Sequence, residues 1–203
     1  MAARGSSAPR LKGSIIRSFV QWYEADVRPG GVREAAERLP AEQAEIFDLT
    51  RPDLGVLPNR WYDAAPLHNM LDMLIGGRDE QAQGALAKSC GEAMVAKMRG
   101  GVHRMVFDWF LTPGRYAKIV DWAWRLNYQD GHVHTEKLAP NRHKGIVVDW
   151  KGHHPFLCMT NVEIKRCMYE SMGCADVRVE SSYCIGRGDA QCGSIITWAQ
   201  TRS

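Results

Sequence analysis

Two cysteines frame the stretch whose chemistry is easiest to read, Val177-Arg-Val-Glu-Ser-Ser-Tyr-Cys184-Ile-Gly-Arg-Gly-Asp-Ala-Gln-Cys192-Gly-Ser-Ile-Ile-Thr-Trp198. Val177, Val179 and Tyr183 alternate before the Gly-Arg-Gly-Asp turn, Ile196 and Trp198 alternate after it, and the glycines supply the positive φ a tight reversal needs. A hairpin centred on Gly188 sets Cys184 opposite Cys192 and Glu180 opposite Ile196, so that two thiols meet on one face. Facing thiols can pack as small hydrophobes, ligate a soft metal, or supply a nucleophile if a base lies close. The bases on offer are scattered histidines. His132 and His134 share one side of a strand, an arrangement that suits an exposed face unless a third ligand is near, and His153-His154 before Pro155 is read the same way. His103 is a lone histidine in a helical stretch.

These residues need a scaffold, and the hydrophobic periods describe one. Helices are predicted over 14–27, 32–39, 40–47, 61–75, 79–98, 102–110 and 113–128, from apolar residues at three- and four-residue spacing closed by Arg28-Pro29-Gly30-Gly31, Gly76-Gly77 and Gly100-Gly101. Beyond Asp130-Gly131 the period shortens. Strands over 132–138 and 144–150, a helix over 155–172 and the cysteine hairpin follow, giving strand, strand, helix, strand, strand. The expected fold is α+β: a helical layer, residues 13–128, packed on an antiparallel sheet of about four strands within residues 129–203. Residues 1–12 carry Gly, Ser, Pro and basic residues without periodicity and are expected to be a disordered lead to this single domain.

Phe107, Trp109, Tyr116, Trp122 and Trp124 crowd into about twenty residues, with Trp150 further on. Apolar stripes at helical spacing are core in most proteins, yet so many large rings can also leave an enclosed space beside the sheet. The expected pocket is lined by these six rings together with His103. Trp124 or His103 is expected to orient a polar atom of an otherwise apolar ligand.

Composition excludes several classes of function. The 203 residues are 45% hydrophobic and 24% charged, enough for one core without staples. A net charge of +3 from 26 basic and 23 acidic residues interspersed along the chain leaves no footprint for nucleic acid or anionic lipid. No apolar run reaches the roughly 20 residues that span a bilayer, and the start has no signal-peptide core, so the expected location is the cytoplasm. Six cysteines there are expected to be reduced.

The order of elements, closed by Cys184-x-Gly-x-Gly-Asp-x-x-Cys192, resembles the 4-vinyl reductase (V4R) domain of phenol-responsive activators, which is akin to TRAPP transport subunits. Lys12-Gly-Ser-Ile, Leu57-Pro-x-x-Trp61-Tyr, Tyr128-x-x-Gly131 and Asp176-Val-Arg-Val-Glu180 extend the likeness to a paralogous myxobacterial family over most of the chain. The phenol sensors hold a zinc with three cysteines and a glutamate. The resemblance therefore implies Cys158, Cys184 and Cys192 as thiol ligands and zinc as a cofactor. The glutamate position is Ser181 here, and the nearest carboxylate, Glu180, would stand roughly 13 Å from Cys184 on an ideal strand unless a bulge shortens the path. Packed thiols are the competing reading. Haem sensors share this broad superfamily, but the chain has no Tyr-x-Ser-x-Arg clamp for haem propionates, so no haem is expected at His103.

The resulting expectation is a non-catalytic sensory module for a small apolar or aromatic molecule, working as a homodimer or with a signalling partner. A cysteine- or zinc-dependent hydrolase and a ligand-free dimeric scaffold are the alternatives.

Overall fold

A computed structural model describes residues 8–100 and 112–199. It begins with a short ribbon in which β1, Arg10–Lys12, pairs antiparallel with β2, Trp61–Asp63, through Leu11 opposite Tyr62. Leu11 is 1% exposed and also bridges to Tyr128, so residues 10–12 belong to the core rather than to a disordered lead. Trp61 and Tyr62 likewise lie on a strand instead of opening a helix. The helix α4, Ala64–Leu71, starts after them with Pro66 in its first turn, where a missing N–H costs nothing.

Helix α1, Gly13–Trp22, buries Ile16, Phe19, Val20 and Trp22 on one face. It and α4 both widen at their C-terminal ends, over Tyr23–Val27 and Asp72–Gly76, into turns closed by bonds such as Arg28 N–H to Tyr23 C=O. The short helices α2, Gly31–Glu37, and α3, Ala41–Ala44, lie between them in sequence. Helix α5, Glu80–Met98, is capped by the Asp79 carboxylate, which accepts from Ala82 N–H at 2.8 Å. Its Gly91 backs onto α7, Pro155–Ser171: a Cβ there would stand 2.7 Å from Glu163 Cβ, so glycine sets how closely the two long helices approach.

Helix α6, Pro113–Arg125, has Pro at its start and Thr112 as N-cap, and leads to the β3–β4 hairpin, His132–Ala139 and Arg142–Val148. After α7 come β5, Ala175–Tyr183, and β6, Cys192–Ala199. The four strands form one antiparallel sheet in the order β3-β4-β6-β5. The α+β class and the strand, strand, helix, strand, strand order agree with the sequence pattern.

The register of the last hairpin does not. Glu180 faces Ile195 and Ser181 faces Ser194, one residue from the expected pairing, and an irregularity between Ser181 and Tyr183 restores Tyr183 opposite Gly193 near the turn. Most of the core is continuous, running from α1 through Phe156, Leu157 and Cys158 of α7 to Val147 and Cys192 of the sheet. No helix among the described residues is long and apolar enough to cross a membrane.

Candidate functional site

The corner where α7 meets the β5–β6 turn gathers the chemistry. His154 N-caps α7, its Nδ1 accepting from Phe156 N–H at 3.2 Å while its carbonyl accepts from Cys158 N–H at 2.9 Å. This fixes Cys158 in the first turn and leaves His153 just outside it. Cys184 ends β5's run, with its N–H held by the Asp189 carboxylate at 2.7 Å, and Cys192 opens β6 opposite Val147 of β4. Gly188, at φ +90°, turns the chain between them. Gly186 lets that turn lie against the corner, since a Cβ would meet His153 Cε1 at 3.1 Å.

The four side chains converge. Cys158 Sγ donates toward Cys192 Sγ at 3.5 Å, Cys184 Sγ toward Cys158 Sγ at 3.7 Å, and His153 Nε2 stands 3.6 Å from Cys184 Sγ. All four ligand atoms lie within 4.8 Å of one another. The hydrogen bond from Cys158, with a further contribution from His153, holds the Cys192 thiol well below its ordinary range, and the same bond keeps the proton on Cys158. Beside them a cavity of about 10 Å³ runs between Cys158, Cys192, Lys165 and Ser194, no larger than a single water needs. Cys192, 5% exposed, thus has a stabilised sulfur and a neighbouring imidazole.

Three of the four expected ligands are therefore brought together and one is not. Glu180 is exposed on the edge strand β5, paired with Ile195, and is not among the residues whose ligand atoms converge. His153 takes the fourth position. The signal in the sequence was its spacing, five residues before Cys158 across a Pro-initiated helix start.

The expected aromatic pocket is largely filled by its own rings. Trp124 stacks on Tyr128 at 4.2 Å and meets Trp150 edge-on at 4.9 Å, and its Nε1–H donates to the Asp130 carbonyl at 2.9 Å instead of to a ligand. Tyr116 packs edge-on against Tyr169 at 5.9 Å, and burial pushes its hydroxyl up to about 12. Trp122 is 59% exposed. His103, Phe107 and Trp109 lie outside the described residues.

A second polar group went unread in the sequence. His68 on α4 sits 5.2 Å, ring to ring, from His154, whose Nε2 meets the Asp72 carboxylate at 3.2 Å. Burial, reinforced by His154, drops His68 to about 4, and its Nε2 is buried without a partner among the described residues. Trp150 Nε1, close to Gly152, is likewise buried and unpaired among them.

No family model and no curated protein matches the sequence. Solved structures do match. An Fe(II) unliganded H-NOX protein from K. algicida superposes with a TM-score of 0.67 at 12% identity, covering 95% of this chain and 98% of its own. An H-NOX protein from S. oneidensis, in the Fe(II) ligation state, gives 0.63 at 14% identity over 95% and 98%. A structure from work on haem distortion in the H-NOX family gives 0.67 at 9% over 95% and 97%.

The chain has the H-NOX fold.

This overturns the V4R/TRAPP-like and myxobacterial-family likeness. Helices followed by strand, strand, helix, strand, strand are compatible with either architecture, and the cysteine motif reports only a tight turn between two strands. Both cofactor expectations fall with it: the matching structures belong to a haem family, so neither the exclusion of haem nor zinc as the cofactor stands.

Proposed function

We propose that this chain is a non-catalytic ligand-binding sensory domain whose ligand is a haem able to bind a diatomic gas, in place of the small apolar molecule its aromatic content suggests. The observation that carries the reading is the H-NOX fold over 92–95% of the chain, with 96–99% of each matching chain covered. Haem supplies the iron that takes the gas. Everything else must come from the chain.

The donor chemistry fits at the polar edge of the core. Trp150 Nε1–H, buried without an acceptor among the described residues, suits a haem carboxylate, which needs donors in place of the absent Tyr-x-Ser-x-Arg clamp. His68 stays neutral at physiological pH and keeps an unpaired ring nitrogen beside the same loop, available to position a polar group. His103 is assigned as axial ligand by residue type. Among the described histidines, His143 is engaged with Tyr169 at 2.6 Å, His154 with Asp72 and His132 with Asp121.

The test is spectroscopic. Protein expressed with added haem precursor, or reconstituted with haemin, should show a Soret band that shifts under nitric oxide and carbon monoxide, and His103→Gly should lose it unless imidazole is supplied. Folded protein that shows no Soret band after reconstitution would contradict the reading.

A further inference from the structure

We propose that the outward face of α6 is a docking surface for an acidic amphipathic helix of a partner protein, with Trp122 as its anchor. The inference goes beyond the sensory reading, because it needs neither a haem nor any of the residues assigned to one.

Helical spacing divides α6 into two sides. Tyr116, Val120 and Trp124 recur every four residues and face inward, Val120 and Trp124 buried and Tyr116 packed on Tyr169. Trp122 falls on the other side, with Ile119 three residues before it and Leu126, just past the helix, four after it. These three are 59%, 40% and 47% exposed, in that order. The other exposed large hydrophobics among the described residues, such as Leu57 and Tyr183, stand singly on separate elements, as is ordinary for a protein surface. Three neighbouring ones are different, for they leave an apolar patch on the order of a few hundred Å² open to water. Their spacing is that of the anchors by which one helix packs on another.

Charge says what covers the patch. Arg115, Lys118 and Arg125 are exposed on the same face. The one acidic residue of α6, Asp121, is only partly exposed and already committed: it accepts from Val133 N–H at 3.0 Å and meets Arg125 at 3.1 Å and His132 at 3.4 Å. An apolar centre rimmed by cations is complementary to an apolar stripe rimmed by carboxylates. A second copy of this chain is the wrong occupant, because two-fold pairing of this face sets its cations against themselves. An anionic membrane is a poorer one. Three cations raise affinity for a charged bilayer by only about a hundredfold, and helices that hold to membranes bring a much longer apolar face than three side chains. Tryptophan and arginine, by contrast, are among the residues most enriched where binding energy between proteins concentrates.

The experiment uses the full chain and a fluorescein-labelled peptide of about 18 residues, with Leu along one helical face, Glu on its flanks and Ala elsewhere, read by anisotropy. Micromolar binding that weakens with salt is expected, and a peptide with Lys in place of Glu should bind at least about tenfold more weakly. Trp122→Ala changes an exposed side chain and should weaken binding about tenfold or more, and Lys118→Glu should weaken it about fivefold with a shallower salt dependence. Parent protein that does not bind the peptide, or binds a scrambled peptide of the same composition equally well, overturns the surface, an outcome that does not depend on any variant folding. Unchanged affinity in Trp122→Ala overturns it too. Tighter binding to vesicles of phosphatidylcholine and phosphatidylserine than to the peptide, lost in Trp122→Ala, marks a lipid face and overturns the protein partner. A dimer in sedimentation velocity that Trp122→Glu dissolves overturns it in favour of a second copy. A Soret band, present or absent, affects none of these results.

Discussion

The thiol corner and the tryptophan cluster look alike in the sequence, each a concentration of reactive or bulky residues, and the structure separates them. At the corner four polar side chains from three chain segments meet and are joined only by weak thiol and imidazole contacts. In the cluster Trp124, Tyr128 and Trp150 satisfy one another by ring contacts, and Trp124 spends its N–H on a backbone carbonyl. The difference is in how convergence is achieved. Apolar rings gain by filling space wherever they meet, whereas polar donors drawn together without partners incur a desolvation cost that a ligand can offset.

The comparison can be broken from either side. Trp124→Ala removes a ring packed on two others and should lower stability by about 3–5 kcal/mol in chemical unfolding. Cys158→Ala should cost less, about 1–3 kcal/mol, by leaving the Cys192 sulfur without the hydrogen bond that Cys158 donates. A cost as large as that of Trp124→Ala would mean the corner is held as the ring cluster is, by filling space.

A third effect depends on pH. His68 has its folded-state pKa depressed to about 4, so between about 6.5 and 4 the unfolded chain binds a proton the folded one refuses, and stability falls as pH falls through that window. The loss should be on the order of 2–3 kcal/mol and should be absent in His68→Leu, compared with the parent by denaturant unfolding at pH 7 and pH 4.5. His154, depressed mainly by burial, acts in the same direction, so a residual slope in His68→Leu belongs to it. Smaller still, Asp79→Ala should cost about 1 kcal/mol by uncapping α5, with no change in any spectrum.

Local pattern reached far but stopped short of register and long-range geometry. The long helices α5 and α7 and both sheet hairpins were legible because their periods are long or their turns carry Gly and Asn. Arg10–Lys12 and Trp61–Asp63 were misread because a three-residue ribbon has no period of its own and exists only through its partner. The one-residue slip of β5 against β6 comes with an irregularity that no alternation announces. His153 was discounted because its contact with Cys184 depends on a turn 31 residues away in sequence, and His68 went unread because its neighbour lies 86 residues on, at His154. The fold family was misassigned for the same reason: element order is a coarse descriptor, and it suited two architectures.

The central claim is that this H-NOX fold carries a haem. Native mass spectrometry of protein from haem-supplied cells tests it directly. The account predicts a dominant species at the chain mass plus one haem, with the haem lost in His103→Gly. A folded chain at its bare polypeptide mass under those conditions would contradict it.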